Sequence, residues 1–357
     1  MKRNQTNLRS TLAALFLMAG ILAAAQTKQL PNIVILATGG TIAGAAATGT
    51  QSGYTSGQVT IDAMVNAVPG ITKLANIKGE QISNVGSQDM SFEIMLNLAK
   101  RINEIDATKT ASGVVITHGT DTMEETAYFL NLTTKTDMPV VLVGSMRPST
   151  AVSADGPLNL YNAVAVAADP NAQGRGVLLV MNDWIHSAQT LTKVSTTAVQ
   201  TFMSPLRGLI GTTSYGVNDY YRYPDQKFGK KSEFSTEGVT KLPRVDIIYA
   251  DVDMPADLID ASVERGAKGI VIAGVGDGNM NAGTLEAAKK ASKAGITVVR
   301  CSRVPIGTVL VNGEVNDKDF GTICGDELNP QKARVLLMLA LQKKRSWEDM
   351  QKLFIEY

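Results

Sequence analysis

Short apolar runs that do not alternate with polar residues constrain this chain more than any other feature. They span residues 32–37, 113–117, 139–143, 176–181, 245–249, 269–273 and 296–301, and valine and isoleucine dominate them. A strand with one wet face alternates apolar and polar side chains, whereas a strand covered on both faces reads as a continuous apolar run. Such strands belong to parallel sheets sandwiched between helices, and helical spacing fills the intervals here. Ile61, Met64, Val65 and Val68 follow i, i+3, i+4, i+7, as do Phe92, Met95, Leu96 and Ala99. Asn329 before Pro330 reads as the N-cap and first position of a helix reaching about Gln342. The alternation predicts an α/β fold of doubly wound layers.

At 357 residues the chain exceeds one ordinary α/β domain and suits two. The rhythm of strands and helices stops between Gly211 and Leu242, where the stretch 220–238 is polar and rich in lysine and tyrosine. This predicts a larger N-terminal parallel-sheet domain with flanking helices over 26–222, a linker over 223–242, and a smaller C-terminal α/β domain over 243–357. Residues 1–25 are set apart as a signal peptide. Lys2, Arg3 and Arg9 precede an apolar stretch over 12–24, and Ala23 and Ala25 precede a cut before Gln26. That stretch is roughly two-thirds of the ~20 residues a membrane span needs. No cysteine lies near the cut to carry a lipid, so export to the periplasm or medium is expected, with no membrane association afterwards. Cys301 and Cys324 are the only cysteines. An oxidising compartment permits a bridge between them, and two small buried hydrophobes fit equally.

Thirty-four basic residues oppose 33 acidic ones, and no basic run is long enough to track a phosphate backbone, so no nucleic-acid partner is expected. The balance suits a small neutral or zwitterionic substrate. Ligands of open α/β sheets sit beyond the carboxyl ends of the strands. Here those ends read Thr38-Gly39-Gly40-Thr41-Ile42-Ala43-Gly44, Thr117-His118-Gly119-Thr120-Asp121-Thr122, Gly144-Ser145-Met146-Arg147-Pro148 and Met181-Asn182-Asp183. Hydroxyls and aspartates converge at them.

Several familiar sites are excluded. The glycines of 39–44 lack the lysine-hydroxyl pair of a phosphate-binding loop, and Asn279 stands where a dinucleotide fingerprint needs its third glycine. No G-x-S-x-G elbow occurs. His118 and His186 are the only histidines and lack nearby cysteine partners, so neither a metal nor another cofactor is expected. His118 reads best as a ring bracing its turn. A hydrolase here needs another base, and a lysine or tyrosine with a shifted pKa can serve.

At this point the segments 35–44 and 116–125 resemble the two signature motifs of the bacterial asparaginases and glutaminase-asparaginases. The likeness runs from about Leu30 to Tyr357 and includes Ser87-Gln88-Asp89-Met90, Met146-Arg147-Pro148-Ser149 and Ser302-Arg303-Val304-Pro305. With the leader, the secreted branch fits best. The resemblance implies hydrolysis of L-asparagine to L-aspartate and ammonia, with side activity on L-glutamine. Thr41 matches the nucleophile that forms an acyl-enzyme. Tyr54, on a glycine-rich loop over 48–57, matches the tyrosine that closes over the substrate. Thr120, Asp121 and Lys193 match a second hydroxyl–carboxylate–lysine set. Ser87, Gln88 and Asp121 match residues that hold the substrate's α-carboxylate and α-amino groups. Gly40, beside the nucleophile, lets backbone N–H groups approach a developing oxyanion. Glu314 matches a glutamate contributed across a subunit interface, and the family assembles as a homotetramer. The resemblance leaves open which base deprotonates Thr41.

The chain also departs from the family pattern. Ala188 is followed by Gln189 and Thr190 where many relatives carry arginine and aspartate, and Asp277 stands where asparagine or serine is common. Asp277 reads either as part of the wall facing the substrate's ammonium or as the cap of the turn 276–279. Both departures bear on substrate preference, including a glutaminase-asparaginase with comparable glutamine activity. An exported two-domain solute-binding protein shares the leader and the layers but leaves the hydroxyl–lysine–aspartate set unexplained.

Overall fold

The computed structural model describes residues 29–50, 55 and 57–357. The leader over 1–25 and Tyr54 therefore lie outside the described residues.

The first domain holds the strands β1 (Asn32–Gly39), β2 (Asn76–Val85), β3 (Gly113–Thr117), β4 (Val140–Val143), β5 (Val177–Met181), β6 (Trp184–Ser187), β7 (Thr192–Lys193), β8 (Phe202–Met203), β9 (Gly211–Ser214) and β10 (Val217–Tyr220). Eight of them form one sheet in the order β10-β9-β6-β5-β4-β3-β1-β2, and β7 and β8 form a separate two-stranded ribbon. The buried side chains of β1 explain its unbroken apolar run. Val34 and Leu36 enter one core layer and Ile33, Ile35 and Ala37 the other. Helices Phe92–Thr108 and Met123–Thr133 supply one layer and Gly156–Ala167 the other.

The expectation of a parallel sheet holds from β2 through β5 and fails beyond it, because β6, β9 and β10 join antiparallel. Two tight turns enforce the change. Asn182 and Asp183 have φ of 49° and 65°, and Tyr215 and Gly216 have 48° and 80°. Two consecutive left-handed residues form the hairpin turn whose twist matches antiparallel strands. The Asn182-Asp183 strand end is thus a turn, with Asp183 Oδ1 accepting from Asn162 Nδ2 at 3.0 Å. Part of the region where the rhythm stops, 211–220, likewise belongs to the sheet.

The second domain pairs β11 (Val245–Tyr249), β12 (Gly269–Gly274), β13 (Thr297–Ser302) and β14 (Thr322–Cys324) in that order, all parallel. Asn329 caps the helix Pro330–Ala340 as expected, its side chain accepting from Lys332 N, and the helix ends two residues before Gln342. Val271, Val299, Leu336 and Phe354 share one apolar layer with Val34, Leu98 and Phe129, so a single core runs through both sheets. Residues between β10 and β11 pack onto this body. Lys135 Nζ donates to Ser232 O, and Glu233 N donates to the Tyr357 hydroxyl at 2.8 Å. Cys301 and Cys324 are free buried thiols, without the bridge left open above. Burial pushes the Cys301 thiol far up and the Cys324 thiol to about 11.

Candidate active site

The carboxyl ends of β1 and β3 touch because their glycines lack side chains. Gly39 and Gly40 have φ of 109° and 82°, a region that favours glycine. A Cβ on Gly40 would lie 2.3 Å from Gly119 N, and one on Gly119 would lie 2.7 Å from Ser87 Oγ. This squeeze gathers the segments that carry Thr41, Thr120 and Ser87. Thr41 opens a short 3-10 turn, Thr41–Ala43, and is 5% exposed.

Lys193 arrives on β7 and joins the cluster across a long stretch of sequence. Its Nζ donates to Thr120 Oγ1 at 2.9 Å and to Asp121 Oδ1 at 2.6 Å. Ser87 ties in from the carboxyl end of β2, its Oγ accepting from Asp121 N at 3.1 Å and its carbonyl from Thr122 Oγ1 at 2.7 Å. The next residue, Gln88, is exposed, and among the described residues its side chain hydrogen-bonds only Asp89, 3.3 Å away. The arrangement offers a buried threonine in a glycine turn and a second threonine bonded to a lysine whose charge a carboxylate balances. Such a set suits acyl transfer without histidine.

Both histidines stand aside. Burial lowers His118 to about 4 and His186 to about 3, so both rings are neutral near pH 7. His118 Nδ1 lies 2.6 Å from Gly119 O, which only accepts, so Nδ1 carries the proton. Nε2 then accepts from the Thr126 hydroxyl at 2.9 Å. The ring braces the turn after β3, as its position suggested. His186 meets the Ser204 hydroxyl at 2.9 Å.

The glycine-rich loop is fixed at its base. Ala45 and Thr55 exchange backbone hydrogen bonds of 3.2 and 3.1 Å, and Val59 N donates to Ala43 O at 2.9 Å. Ser149 N and Oγ both donate to Gly44 O, at 2.9 and 2.7 Å.

Asp277 and Glu314 lie in the second domain, lining an open groove of about 600 Å³ with Ser302, Val304 and Leu310. Among the described residues no hydrogen bond or ion pair joins either one to Thr120, Asp121 or Lys193. Asp277 Oδ1 accepts from Leu310 N at 2.8 Å, and Glu314 contacts Asn279 Nδ2. Arg300 and Asp317, which sequence reasoning missed, organise this wall. They form a salt bridge with both side chains 0% exposed, and Arg300 Nε donates to Asp317 at 2.6 Å. Arg300 also donates to the carbonyls of Asp277 at 2.9 Å and Leu310 at 3.2 Å, while Asp317 accepts from Asn312 N at 3.0 Å. An arginine inside an apolar strand, as at 296–301, was the available signal, because a buried charge needs a partner.

Comparison with known proteins shows a family that spans both domains. Residues 32–227 match the "Asparaginase, N-terminal" family model, and residues 244–354 match the "Glutaminase/Asparaginase C-terminal domain" model. The "Probable L-asparaginase periplasmic" of Haemophilus influenzae is 52% identical over 333 residues, 93% of this chain and 95% of the relative. The "Glutaminase-asparaginase" of Pseudomonas fluorescens is 42% identical over 349 residues, 97% of this chain and 96% of the relative. The crystal structure of the "Probable Cytoplasmic L-asparaginase" from Campylobacter jejuni superposes with a TM-score of 0.88 at 46% identity. That match covers 92% of this chain and 100% of the other.

Proposed function

The chain belongs to the asparaginase family, and from that premise we propose that it hydrolyses L-asparagine to L-aspartate and ammonia through Thr41. The Thr41 hydroxyl oxygen attacks the side-chain amide carbon, the C–N bond breaks, and the hydroxyl proton ends on the departing ammonia. Water then splits the ester and returns a proton to Thr41. Thr120, Lys193 and Asp121 tune the charge around the attacking group, Ser87, Gln88 and Asp121 hold the substrate's α-substituents, and Tyr54 closes the site. Lys193 supports this reading most directly, because one ammonium bonds both the Thr120 hydroxyl and the Asp121 carboxylate.

Thr41→Ala should fold normally and lose about a thousandfold or more in turnover, since the covalent path has lost its attacking oxygen. Thr41→Ser should keep measurable activity. An alanine variant with near-normal turnover and an intact fold would overturn the assignment. A binding protein would release no ammonia at all. Glutamine is a side substrate in this reading. Comparable glutamine turnover is the second reading, favoured by the likeness to a glutaminase-asparaginase. Steady-state kinetics on the two amides side by side decides between them.

Assembly and location complete the proposal. Residues 26–222 form the catalytic domain, 223–242 the connection and 243–357 the second domain. A neighbouring copy supplies Glu314, with Asp277 beside it, to the Thr41 site within a homotetramer. A fully active monomer in light scattering would refute this. Export follows from the leader, and a relative named periplasmic supports it. The mature protein should begin at Gln26 outside the cytoplasm, which N-terminal sequencing of the exported fraction checks.

A further inference from the structure

Lys193 sits on a ribbon of two residues per strand, β7 with β8, outside the main sheet. A ribbon that short does not fix its own orientation. The turn leading into it gets little from its own side chains, since Gln189 Oε1 and Thr190 Oγ1 are buried without a hydrogen-bond partner among the described residues. Backbone bonds from Thr190 N and Leu191 N to Ser187 O shape the turn, at 3.2 and 3.1 Å, and side chains of the second domain hold it. Lys332, in the first turn of the helix Pro330–Ala340, is 2% exposed. Its Nζ donates to Gln189 O at 2.7 Å and to Leu191 O. Asn329 Nδ2 donates to Thr192 Oγ1 at 3.4 Å. Both Asn329 and Gln331 bond Glu124, a buried carboxylate whose charge acts on Lys332. A small, partly open cavity of about 40 Å³ beside Gln189, Thr190 and Lys332 leaves this turn room to shift once released.

We propose that Lys332 is a positioning residue for the reaction, clamping the carbonyls of residues 189 and 191 so that Lys193 reaches Thr120 and Asp121 together. A buried ammonium suits this task. It satisfies two backbone acceptors from one point and stays put because retreat would leave it unbonded in an apolar layer. The inference rests on the role given to Lys193 above.

The test uses the full chain in its native assembly, with Lys193→Met, Lys332→Met and the double variant compared on asparagine. Lys332→Met should keep KM within about threefold while kcat falls roughly ten- to a hundredfold, the range that misplacing a reacting group produces. Because Lys332 acts through Lys193, the double variant should match Lys193→Met within about twofold. Lys332→Gln, with one amide left to donate, should fall between Lys332→Met and the parent. An unchanged kcat in Lys332→Met, or losses that multiply in the double variant, would overturn the proposal. Near-normal turnover in Lys193→Met would instead overturn the reading of Lys193 itself. If Lys332→Met does not fold, Lys332→Gln and Thr192→Val, which loses the Asn329 bond, carry the same test. Either should lower kcat at constant KM, and unchanged kcat in both refutes the clamp.

Discussion

The Thr41–Thr120 cluster and the Asp277–Glu314 wall are built by opposite means. In the first, glycines remove side chains so that two strand ends press together, and short side-chain hydrogen bonds finish the arrangement. In the second, one buried guanidinium–carboxylate pair pins the backbone of two loops. A steric device fails locally when space is filled. An electrostatic device fails globally, because a charge left without its partner in the interior destabilises the whole fold.

Breaking the electrostatic device should give the larger effect. Arg300→Met strands Asp317 in the core, and about 3–5 kcal/mol of stability should be lost. Thermal unfolding checks this, and Arg300→Met with Asp317→Asn should recover part of the loss. A melting temperature unchanged by the single substitution would erase the distinction. Gly40→Ala tests the steric device. Its Cβ would meet the backbone of Gly119 at 2.3 Å with φ at 82°, so turnover should drop about a hundredfold. Stability should change less than in Arg300→Met, and comparing the two melting curves sharpens the contrast.

Acid should weaken the fold next. His118 and His186 titrate near 4 and 3 when folded, below the ordinary 6.5, so the unfolded chain takes up protons first. Their contribution is complete above pH 6.5 and is lost as pH falls. Glu125 opposes them. Burial raises it to about 7 from 4.5, so its contribution is complete below pH 4.5 and is lost as pH rises through 7. Two histidines against one glutamate leave a net loss averaging about 1 kcal/mol per pH unit on acidification from 6.5 to 5. Denaturant titrations across that range measure it, and a flat profile would refute it. The smallest effect belongs to Asp277→Asn. The amide oxygen can still accept from Leu310 N, so the melting temperature should hold while KM for asparagine rises within about tenfold. An unchanged KM with a lower melting temperature would make Asp277 purely structural.

The two devices were also unequally legible in the sequence. The runs ending at Ala37 and Thr117 stand out because both faces of β1 and β3 are buried, which leaves little reason for polar residues to interrupt them. The glycines that follow mark tight turns directly. β2 was invisible for the converse reason. It is an edge strand, largely exposed and polar, yet it delivers Ser87 and Gln88. Asn182-Asp183 and Tyr215-Gly216 carried turn signals that, read as hairpins, would have revealed the antiparallel edge. Arg300 and Lys332 hid inside patterns that otherwise spelled core strand and helix. Nothing local predicts that Lys193 meets Thr120, 73 residues away, so that pairing came from family resemblance alone.

The apolar layer shared by the two sheets has a consequence for how the protein is made. The Tyr128 hydroxyl donates to the carbonyl of Tyr357, 229 residues later, and Leu336 and Phe354 pack in the same layer as Phe129. The first sheet therefore cannot close its core while those residues are still being synthesised. Until the late helices are in place, the apolar layer that meets them stays uncovered.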